Sequence, residues 1–235
     1  MSATDHSPSY AARREKLADY FDRTASETWA RLTSDAPVSR IRQTVRAGRD
    51  AMRATLLGWL PQDLSGRRLL DAGCGTGALA VEAAARGAEV VAVDVAGSLV
   101  ALAQERAGAQ LAPEAAARIR WEAGDMLDPA FGRFDHVVAM DSLIHYPARD
   151  IAAAIAGLAA RASGSVLFTI APRTPLLTAM HTAGKLFPRG DRSPAIEPVA
   201  PTRMRRLLAE RGLATGRSHR VAGGFYISQA LEVTR

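Results

Sequence analysis

The chain has 235 residues, of which 48% are hydrophobic and 23% are charged, with a formal net charge of +6 and a single cysteine. This composition is typical of a globular protein with one large domain, and one cysteine excludes an internal disulfide bond. No apolar run is long enough to cross a membrane and residues 1–10 are polar, so we expect a cytoplasmic protein without a transmembrane helix or signal peptide.

The positive charge comes almost entirely from arginine, because only Lys16 and Lys185 are lysines. No basic run is interleaved with aromatic residues, so the sequence does not indicate a nucleic-acid partner. The charge fits a weak attraction to an anionic membrane surface or to a carboxylated substrate instead.

Residues 1–60 precede the first predicted strand, and from about residue 11 they read as a helical arm. Tyr20, Phe21 and Trp29 concentrate aromatic side chains in its first half. In its second half, apolar residues recur at helical spacing. We interpret the arginines around that helix as a solvated face: Arg40, Arg42, Arg46, Arg49 and Arg53. We expect the arm to fold as a lid over a ligand bound by the domain that follows, residues 61–235.

Residues 69–77 form an apolar strand pattern that ends in Asp71 and three closely spaced glycines, Gly73, Gly75 and Gly77. Glycine tolerates positive φ and has no Cβ, so this turn can pass close to a ligand at the start of a helix. A carboxylate beside such a turn would repel a pyrophosphate. The pattern therefore favours a nucleoside without phosphate, whose cationic amino-acid end faces Asp71 directly or through water.

A second apolar run, residues 89–94, ends in Asp94 and is followed by Val95. An acid about twenty residues after the glycines lies at the end of the adjacent strand, where it can accept two hydrogen bonds from a ribose diol. Asp94 is thus the predicted ribose-binding residue.

A third strand pattern is followed by Asp125 and Met126. This pair resembles the adenine clamp of the class I S-adenosylmethionine-dependent methyltransferases, in which the acid accepts the exocyclic amine and its neighbour packs on the ring. The glycine turn resembles motif I of the same superfamily. The resemblance implies that Val95 and Met140 also contact the methyl donor.

Strand and helix patterns alternate from residue 67 onward, which predicts an open, mostly parallel sheet with helices on both faces. Residues 216–222 and 226–233 resemble the antiparallel hairpin that completes the class I methyltransferase sheet. We therefore expect an α/β, Rossmann-like class I methyltransferase fold with a seven-stranded, mostly parallel sheet, this C-terminal hairpin and the N-terminal helical arm. The other predicted strands are residues 68–71, 89–94, 119–122, 134–140 and 165–171.

Residues 172–200 interrupt this alternation after the fifth strand. An insertion at that point lies over the carboxyl ends of the strands, where ligands bind in this architecture. We expect it to build part of an acceptor pocket; the alternative is a surface loop over a local hydrophobic cluster.

Residues 140–146 lie where the methyl donor would meet its acceptor, and they include His145. The turn lacks the Asn/Asp-Pro-Pro-aromatic motif of enzymes that methylate exocyclic base nitrogens, and the histidines show no paired metal-ligand spacing. A phenol, with a pKa near about 10, would profit from His145 as a base, whereas a carboxylic acid, near about 4, is already ionised and needs orientation. His145 suits either acceptor, and a purely structural role also fits.

Several segments outside these motifs are similar to the magnesium-protoporphyrin IX O-methyltransferase family. They are residues 20–24 with Trp29 and Arg31, residues 141–147, residues 187–194 and residues 225–228. The resemblance implies methyl transfer from S-adenosylmethionine to one propionate of magnesium-protoporphyrin IX, giving the 13-monomethyl ester in (bacterio)chlorophyll biosynthesis. Magnesium would then travel inside the substrate. The resemblance also implies hand-over from the large subunit of magnesium chelatase, and a peripheral location at a photosynthetic membrane is compatible with it.

Under this resemblance, Tyr20 and His145 orient the reacting groups, and the apolar macrocycle packs on the segment that contains Leu177 and Phe187. The second propionate needs a guanidinium that binds a carboxylate in a bidentate fork. The candidates for that role are Arg173, Arg189 and Arg192. Two alternatives stay open: an O-methyltransferase for another apolar acceptor such as a quinone-type phenol, and a non-catalytic porphyrin carrier.

Overall fold

The computed structural model describes residues 7–23, 40–173 and 195–234. The helices in these ranges are α1 Pro8–Arg23, α2 Arg40–Gly58, α3 Ala78–Ala85, α4 Gly97–Gln110, α5 Pro113–Ala116, α6 Ala148–Ala160 and α7 Pro201–Ala209. The strands are β1 Arg68–Ala72, β2 Glu89–Asp94, β3 Ile119–Ala123, β4 His136–Ala139, β5 Val166–Ile170, β6 Ala214–Gly223 and β7 Tyr226–Thr234.

The seven strands form one sheet in the order β3-β2-β1-β4-β5-β7-β6. The pairs among β1 to β5 are parallel, whereas β7 runs antiparallel to both β5 and β6. The predicted seven-stranded class I methyltransferase sheet with its C-terminal hairpin is therefore confirmed.

The central strands β1, β2, β4 and β5 are largely buried, since helices cover both faces of the sheet there, whereas β3 and β6 at the two edges are more exposed. Successive side chains of β1 and β2 point to opposite faces: Leu70 and Val91 pack in one apolar cluster, while Leu69 and Val90 pack in the other. The first cluster includes side chains of α1, α6 and α7, and the second includes side chains of α2 and α3. The parallel order brings the carboxyl ends of β1, β2, β4 and β5 to one edge.

Two glycines let helix α2 lie directly against the hairpin. A Cβ at Gly48 would be 2.4 Å from the Tyr226 ring, and one at Gly224 would be 2.6 Å from Thr44 Oγ1. Only glycine fits both positions, because real Cβ atoms essentially never approach within 3.0 Å. This close packing makes α2 and the β6–β7 hairpin one wall of the structure.

Within the described ranges, none of the helices combines the length and the hydropathy needed to cross a bilayer. The expected division into an arm (residues 1–60), a domain (61–235) and an insertion (172–200) stays a prediction. Residues 24–39 and 174–194 lie outside the described residues.

Candidate active site

A cavity of about 380 Å³ opens at the carboxyl edge of the sheet. Residues that directly follow β1, β2, β4 and β5 line its floor, α1 and α2 contribute to its walls, and the β6–β7 hairpin closes one side. Most of the lining is apolar or aromatic. The lining residues with functional groups are Tyr20, Arg49, Asp94, Asp141, Ser142, His145, Tyr146, Tyr226 and Ser228.

The glycine turn after β1 forms the floor of the cavity. Gly73 and Gly75 line it, with φ values of 87° and 52°, and the N–H of Gly73 donates to the Val93 carbonyl at 2.8 Å. Gly77 also has a positive φ, 81°, but is not among the lining residues, and a Cβ there would be 2.6 Å from the Trp121 ring. The first two glycines therefore face the cavity, while the third permits close packing behind the turn.

Asp94 lies at the end of β2 and faces the cavity. One carboxylate oxygen accepts the Gly75 N–H at 2.8 Å and the other accepts the Ala96 N–H at 3.0 Å. Burial raises the pKa of Asp94, and these backbone hydrogen bonds act against that rise. Val95 and Met126 line the cavity nearby. A fixed carboxylate beside apolar side chains has the chemistry that a ribose and an adenine ring require, so these residues fit the predicted nucleoside.

Asp71 lies beneath the glycine turn and is not among the lining residues. Its side chain is buried, and its Oδ2 atom has no hydrogen-bond partner. Burial raises the pKa of Asp71 to about 7, with a further contribution from the charge of Asp94, whereas a hydrogen bond from the Ala80 backbone lowers it. Its expected contact with the amino-acid end of the donor stays a prediction.

Replacing Asp71 with asparagine is expected to change how the stability of the ligand-free protein depends on pH. The carboxyl has an ordinary pKa of 3.8 and a folded value of about 7, so the folded protein retains a proton that the unfolded chain loses. Stability therefore falls as pH rises from about 4 to 7. An asparagine side chain does not titrate, so Asp71→Asn should gain stability relative to the wild type across this window.

Urea unfolding at pH 5 and at pH 8 measures this effect. The readout is how the difference in the free energy of unfolding between Asp71→Asn and the wild type changes from pH 5 to pH 8. The substitution can also shift this difference by a constant amount at both pH values. If the free energies of unfolding of the two proteins differ by the same amount at pH 5 and at pH 8, the raised pKa of a buried Asp71 carboxyl is contradicted.

Asp125 contacts the N-terminal helix. Its carboxylate accepts a hydrogen bond from the Tyr10 hydroxyl at 2.9 Å, and it pairs with Arg14. The backbone N–H of Leu127 donates to the same carboxylate at 3.0 Å. Asp125 is not among the cavity-lining residues, so its role as an adenine acceptor stays a prediction, while its neighbour Met126 does face the cavity.

Helix α1 covers the cavity with Leu17, Tyr20 and Phe21. Its last turn is fixed to the sheet domain by Asp22, which accepts the backbone N–H and the hydroxyl of Ser98 at 2.9 and 2.8 Å. Ser98 lies in the first turn of α4, where backbone N–H groups lack helical partners and favour a negative charge. Trp29 and Arg31, which share the aromatic motif, lie outside the described residues.

His145 is 7% exposed and lines the cavity. Its Nδ1 atom is 3.4 Å from the Ala195 carbonyl, and its ring meets the Phe21 ring at a centroid distance of 6.2 Å. The adjacent Tyr146 stacks on Tyr10 at 4.8 Å. Tyr20, from α1, lines the same cavity, so the structure brings together the two residues predicted to orient the reacting groups.

Asp141 was not among the predicted site residues, yet it connects the end of β4 with side chains of α2, β5 and β7. It follows β4 in a left-handed conformation, with a φ of 53°. Its carboxylate accepts hydrogen bonds from the hydroxyls of Thr169 at 3.0 Å, Tyr226 at 2.9 Å and Ser228 at 3.2 Å. Burial and the negative charge of Asp141 raise the pKa of Tyr226, which keeps that phenol protonated as a donor.

Arg49 completes this cluster. Its Nη1 atom is 2.9 Å from Asp141 Oδ2, and the two side chains are 20% and 5% exposed. The interpretation of α2's arginines as a solvated face is therefore wrong for Arg49, which lines the cavity. The hydrophobic periodicity of α2 could not reveal this, because the partner carboxylate lies 92 positions away.

Of the five predicted substrate-binding residues, only Arg173 is among the residues that the structure describes. Arg173 is exposed and is not among the cavity-lining residues. Its N–H donates to the Val199 carbonyl at 3.1 Å, at the base of the insertion after β5. The remaining candidates, Leu177, Phe187, Arg189 and Arg192, lie outside the described residues. All of these assignments stay predictions.

The sheet order and the glycine-lined cavity at its carboxyl edge define a class I methyltransferase. A model described as "Methyltransferase domain" matches residues 69–162, and one described as "Magnesium-protoporphyrin IX methyltransferase C-terminus" matches residues 139–235. The chain belongs to the magnesium-protoporphyrin O-methyltransferase family. The magnesium-protoporphyrin O-methyltransferase of Rhodobacter capsulatus is 50% identical over 224 residues, which cover 95% of this chain and 97% of that protein.

Two further similarities extend over nearly the whole chain. The magnesium-protoporphyrin O-methyltransferase of Synechocystis sp. is 31% identical, covering 93% of this chain and 95% of that protein. The crystal structure of magnesium protoporphyrin IX methyltransferase from Synechocystis PCC 6803 with bound SAH superposes with a TM-score of 0.79 at 29% identity, covering 94% of this chain and 99% of that chain.

Proposed function

We propose that this protein transfers a methyl group from S-adenosylmethionine to a propionate carboxylate of magnesium-protoporphyrin IX. The similarity over nearly the full length of two relatives named magnesium-protoporphyrin O-methyltransferase is the observation that supports the proposal most strongly. The cavity is consistent with it, because one end offers Asp94 and the glycine turn while the rest is mainly apolar.

S-adenosylmethionine, when bound, supplies an electrophilic methyl group on a sulfonium. A carboxylate oxygen forms the new C–O bond as the C–S bond breaks, and the electron pair of that bond stays on sulfur. The acceptor is already ionised at neutral pH, so no proton has to be removed. The residues of the chain therefore act by holding the carboxylate in line and by excluding water, which contributes several kcal/mol.

The direct test is incubation of the purified protein with S-adenosylmethionine and magnesium-protoporphyrin IX, followed by mass spectrometry. A product heavier by one methyl group is the expected result. Tight porphyrin binding without product would favour the carrier alternative. A rate that appears only with a phenolic acceptor, and that rises with pH as the phenol ionises, would favour the quinone-type alternative.

Tyr20 and His145 are proposed to orient the reacting groups. Both line the cavity, and both can form hydrogen bonds, Tyr20 through its hydroxyl and His145 through its ring nitrogens. We expect a Tyr20→Phe, His145→Ala double variant to lose about 100-fold in kcat, the scale of effect that misplaced reacting groups produce, while its affinity for SAH stays within a factor of about 3. Single-turnover kinetics with isothermal titration of SAH separates the two quantities. Normal turnover in the double variant would contradict the role.

The lid role of residues 1–60 and the acceptor role of residues 172–200 belong to the same proposal. Leu17, Tyr20 and Phe21 support the first role because they cover the cavity. Ala171 and Ile196 support the second role. Both line the cavity, and they lie just before and just after residues 174–194, which are outside the described residues.

A cytoplasmic enzyme that contacts a photosynthetic membrane peripherally, and receives its substrate from the large subunit of magnesium chelatase, would suit this chemistry. The net charge of +6 supports the membrane contact, and only the family resemblance supports the chelatase contact. Sedimentation with anionic vesicles and pull-down by the purified chelatase subunit measure the two contacts. The absence of binding in either assay would contradict the corresponding contact.

A further inference from the structure

We propose that Arg49, held by Asp141, binds the carboxylate of the acceptor that is not methylated. This inference rests on the proposed function, because it names the residue that recognises one group of that acceptor. Arg173, Arg189 and Arg192 were predicted for this role from the sequence, but none of them is a described residue of the cavity lining. The inference therefore concerns only the described part of the cavity.

The first support is the position of Arg49. It is the only lysine or arginine among the described residues that line the cavity, and it reaches the lining from the middle of α2. A dicarboxylate that enters a mainly apolar cavity loses much of its hydration, so a buried carboxylate requires a cationic or hydrogen-bonding partner there. Val45 and Phe225, which also line the cavity, provide apolar surface for the rest of the acceptor.

The second support is the way in which Asp141 holds the guanidinium. Arg49 meets Asp141 Oδ2 through Nη1, and the same carboxylate accepts hydrogen bonds from Thr169, Tyr226 and Ser228. Four donors therefore share the negative charge of Asp141, which leaves positive potential on the guanidinium. A guanidinium has five N–H donors in a planar fork and can bridge two carboxylates.

The third support is the backbone conformation at Asp141. A non-glycine residue with a φ of 53° is uncommon, although aspartate tolerates this region better than most residues. Such conformations persist where the surrounding contacts impose them, and they cluster at functional sites. Here the left-handed turn directs the carboxylate toward Arg49 and Tyr226 at the edge of the cavity. Asp141 is therefore a positioning residue for Arg49.

The charge balance of the reaction assigns Arg49 to the carboxylate that does not react. Ester formation removes the negative charge from the reacting oxygen, so a guanidinium bound there would stabilise the ground state more than the transition state. A guanidinium bound to the other carboxylate stabilises both states equally. It therefore improves binding without slowing the transfer.

Equilibrium binding of three porphyrins in the presence of SAH tests the assignment. The ligands are magnesium-protoporphyrin IX, its monomethyl ester with the reacting propionate esterified, and its dimethyl ester. We expect Arg49→Gln to weaken binding of the diacid and the monoester by about 10- to 100-fold, as for a lost charged hydrogen bond, and to leave the dimethyl ester within about 2-fold of wild type. Arg53→Gln is the matched control, since Arg53 lies one turn further along α2, pairs with Asp50 and is not among the lining residues.

Each other pattern overturns the inference. Equal weakening of all three ligands would show a structural role for Arg49, and no weakening would show that it does not meet the acceptor. Weakening of the diacid alone would place Arg49 at the reacting carboxylate. The proposed function is tested separately by product formation at saturating acceptor, so a methylating wild-type enzyme with an unaffected Arg49→Gln variant would reject this inference alone.

Discussion

Gly73→Ala is expected to lower the affinity for S-adenosylmethionine by about 100-fold or more. The added methyl group would displace the glycine turn that forms the floor of the cavity, and displacements of about 1 Å can have effects of this size. A Cβ at this position would lie 2.1 Å from the Cβ of Ser142, where real contacts essentially never fall below 3.0 Å, so the two segments of the chain would have to separate by about 1 Å. The φ of 87° adds strain of about 1–2 kcal/mol for alanine. The ligand-free protein should also lose stability through overpacking, by about 1–3 kcal/mol.

Isothermal titration of SAH and urea unfolding measure the two effects at Gly73. The double variant Gly73→Ala, Ser142→Gly removes the opposing Cβ but keeps the φ strain, so it should recover part of the lost affinity. Gly157→Ala is the matched control: Gly157 lies in α6, and a Cβ there meets nothing within 4 Å. It should leave SAH binding unchanged and stabilise the helix by about 0.5–1 kcal/mol. Wild-type affinity in Gly73→Ala would contradict the assigned floor.

Asp141→Ala is expected to destabilise the protein by about 3 kcal/mol and to remove most of its activity. The substitution leaves the guanidinium of Arg49 without this partner in a largely buried position, and loss of one member of such a pair costs about 3–5 kcal/mol. It also removes the acceptor of the Thr169, Tyr226 and Ser228 hydroxyls. The loss lies at the lower end of this range because the Arg49 side chain is 20% exposed to solvent.

Thermal and urea unfolding, together with the methyl-transfer assay, measure the loss at Asp141. Asp50→Ala is the matched control, because Asp50 also lies 2.9 Å from an arginine, Arg53, but is 52% exposed. An exposed pair contributes about 0–1 kcal/mol, so this variant should remain close to wild type. Asp141→Asn, which tolerates the left-handed conformation, should lose less stability than Asp141→Ala. Equal stability of the Asp50 and Asp141 variants would contradict the assigned role of the cluster.

The sheet could be predicted because its signals are local. Strands β1, β2, β4 and β5 are short, mainly apolar runs that end at a turn, β3 alternates apolar and charged residues, and the pair Gly223 and Gly224 marks the hairpin. The predicted limits of β1 and β2 differ from those observed by at most one residue. Parallel strands then bring their carboxyl ends together without further information. The residues predicted to bind the nucleoside came from the same pattern, since Gly73 and Gly75 come after β1 and Asp94 ends β2; all three line the cavity.

The Asp141 cluster could not be predicted in this way. Its members come from α2, β5 and β7 and are 28 to 92 positions from Asp141 in the chain. The left-handed backbone at Asp141 could not be predicted either, because the residue is not a glycine. Asp125 illustrates the same limit: the motif located the residue, but not its contacts with Tyr10 and Arg14, which come from a helix more than a hundred positions earlier.

The position of β7 between β5 and β6 determines when this cavity can form during synthesis. β5 ends at Ile170, all five of its residues are buried, and its second partner strand begins only at Tyr226. Until the ribosome has released β7, the nascent chain therefore exposes an apolar strand edge, which is the kind of surface that pairs with other chains. The same strand carries Tyr226 and Ser228 to Asp141, so the β5 edge becomes protected in the same step that completes the cavity lining around Asp141.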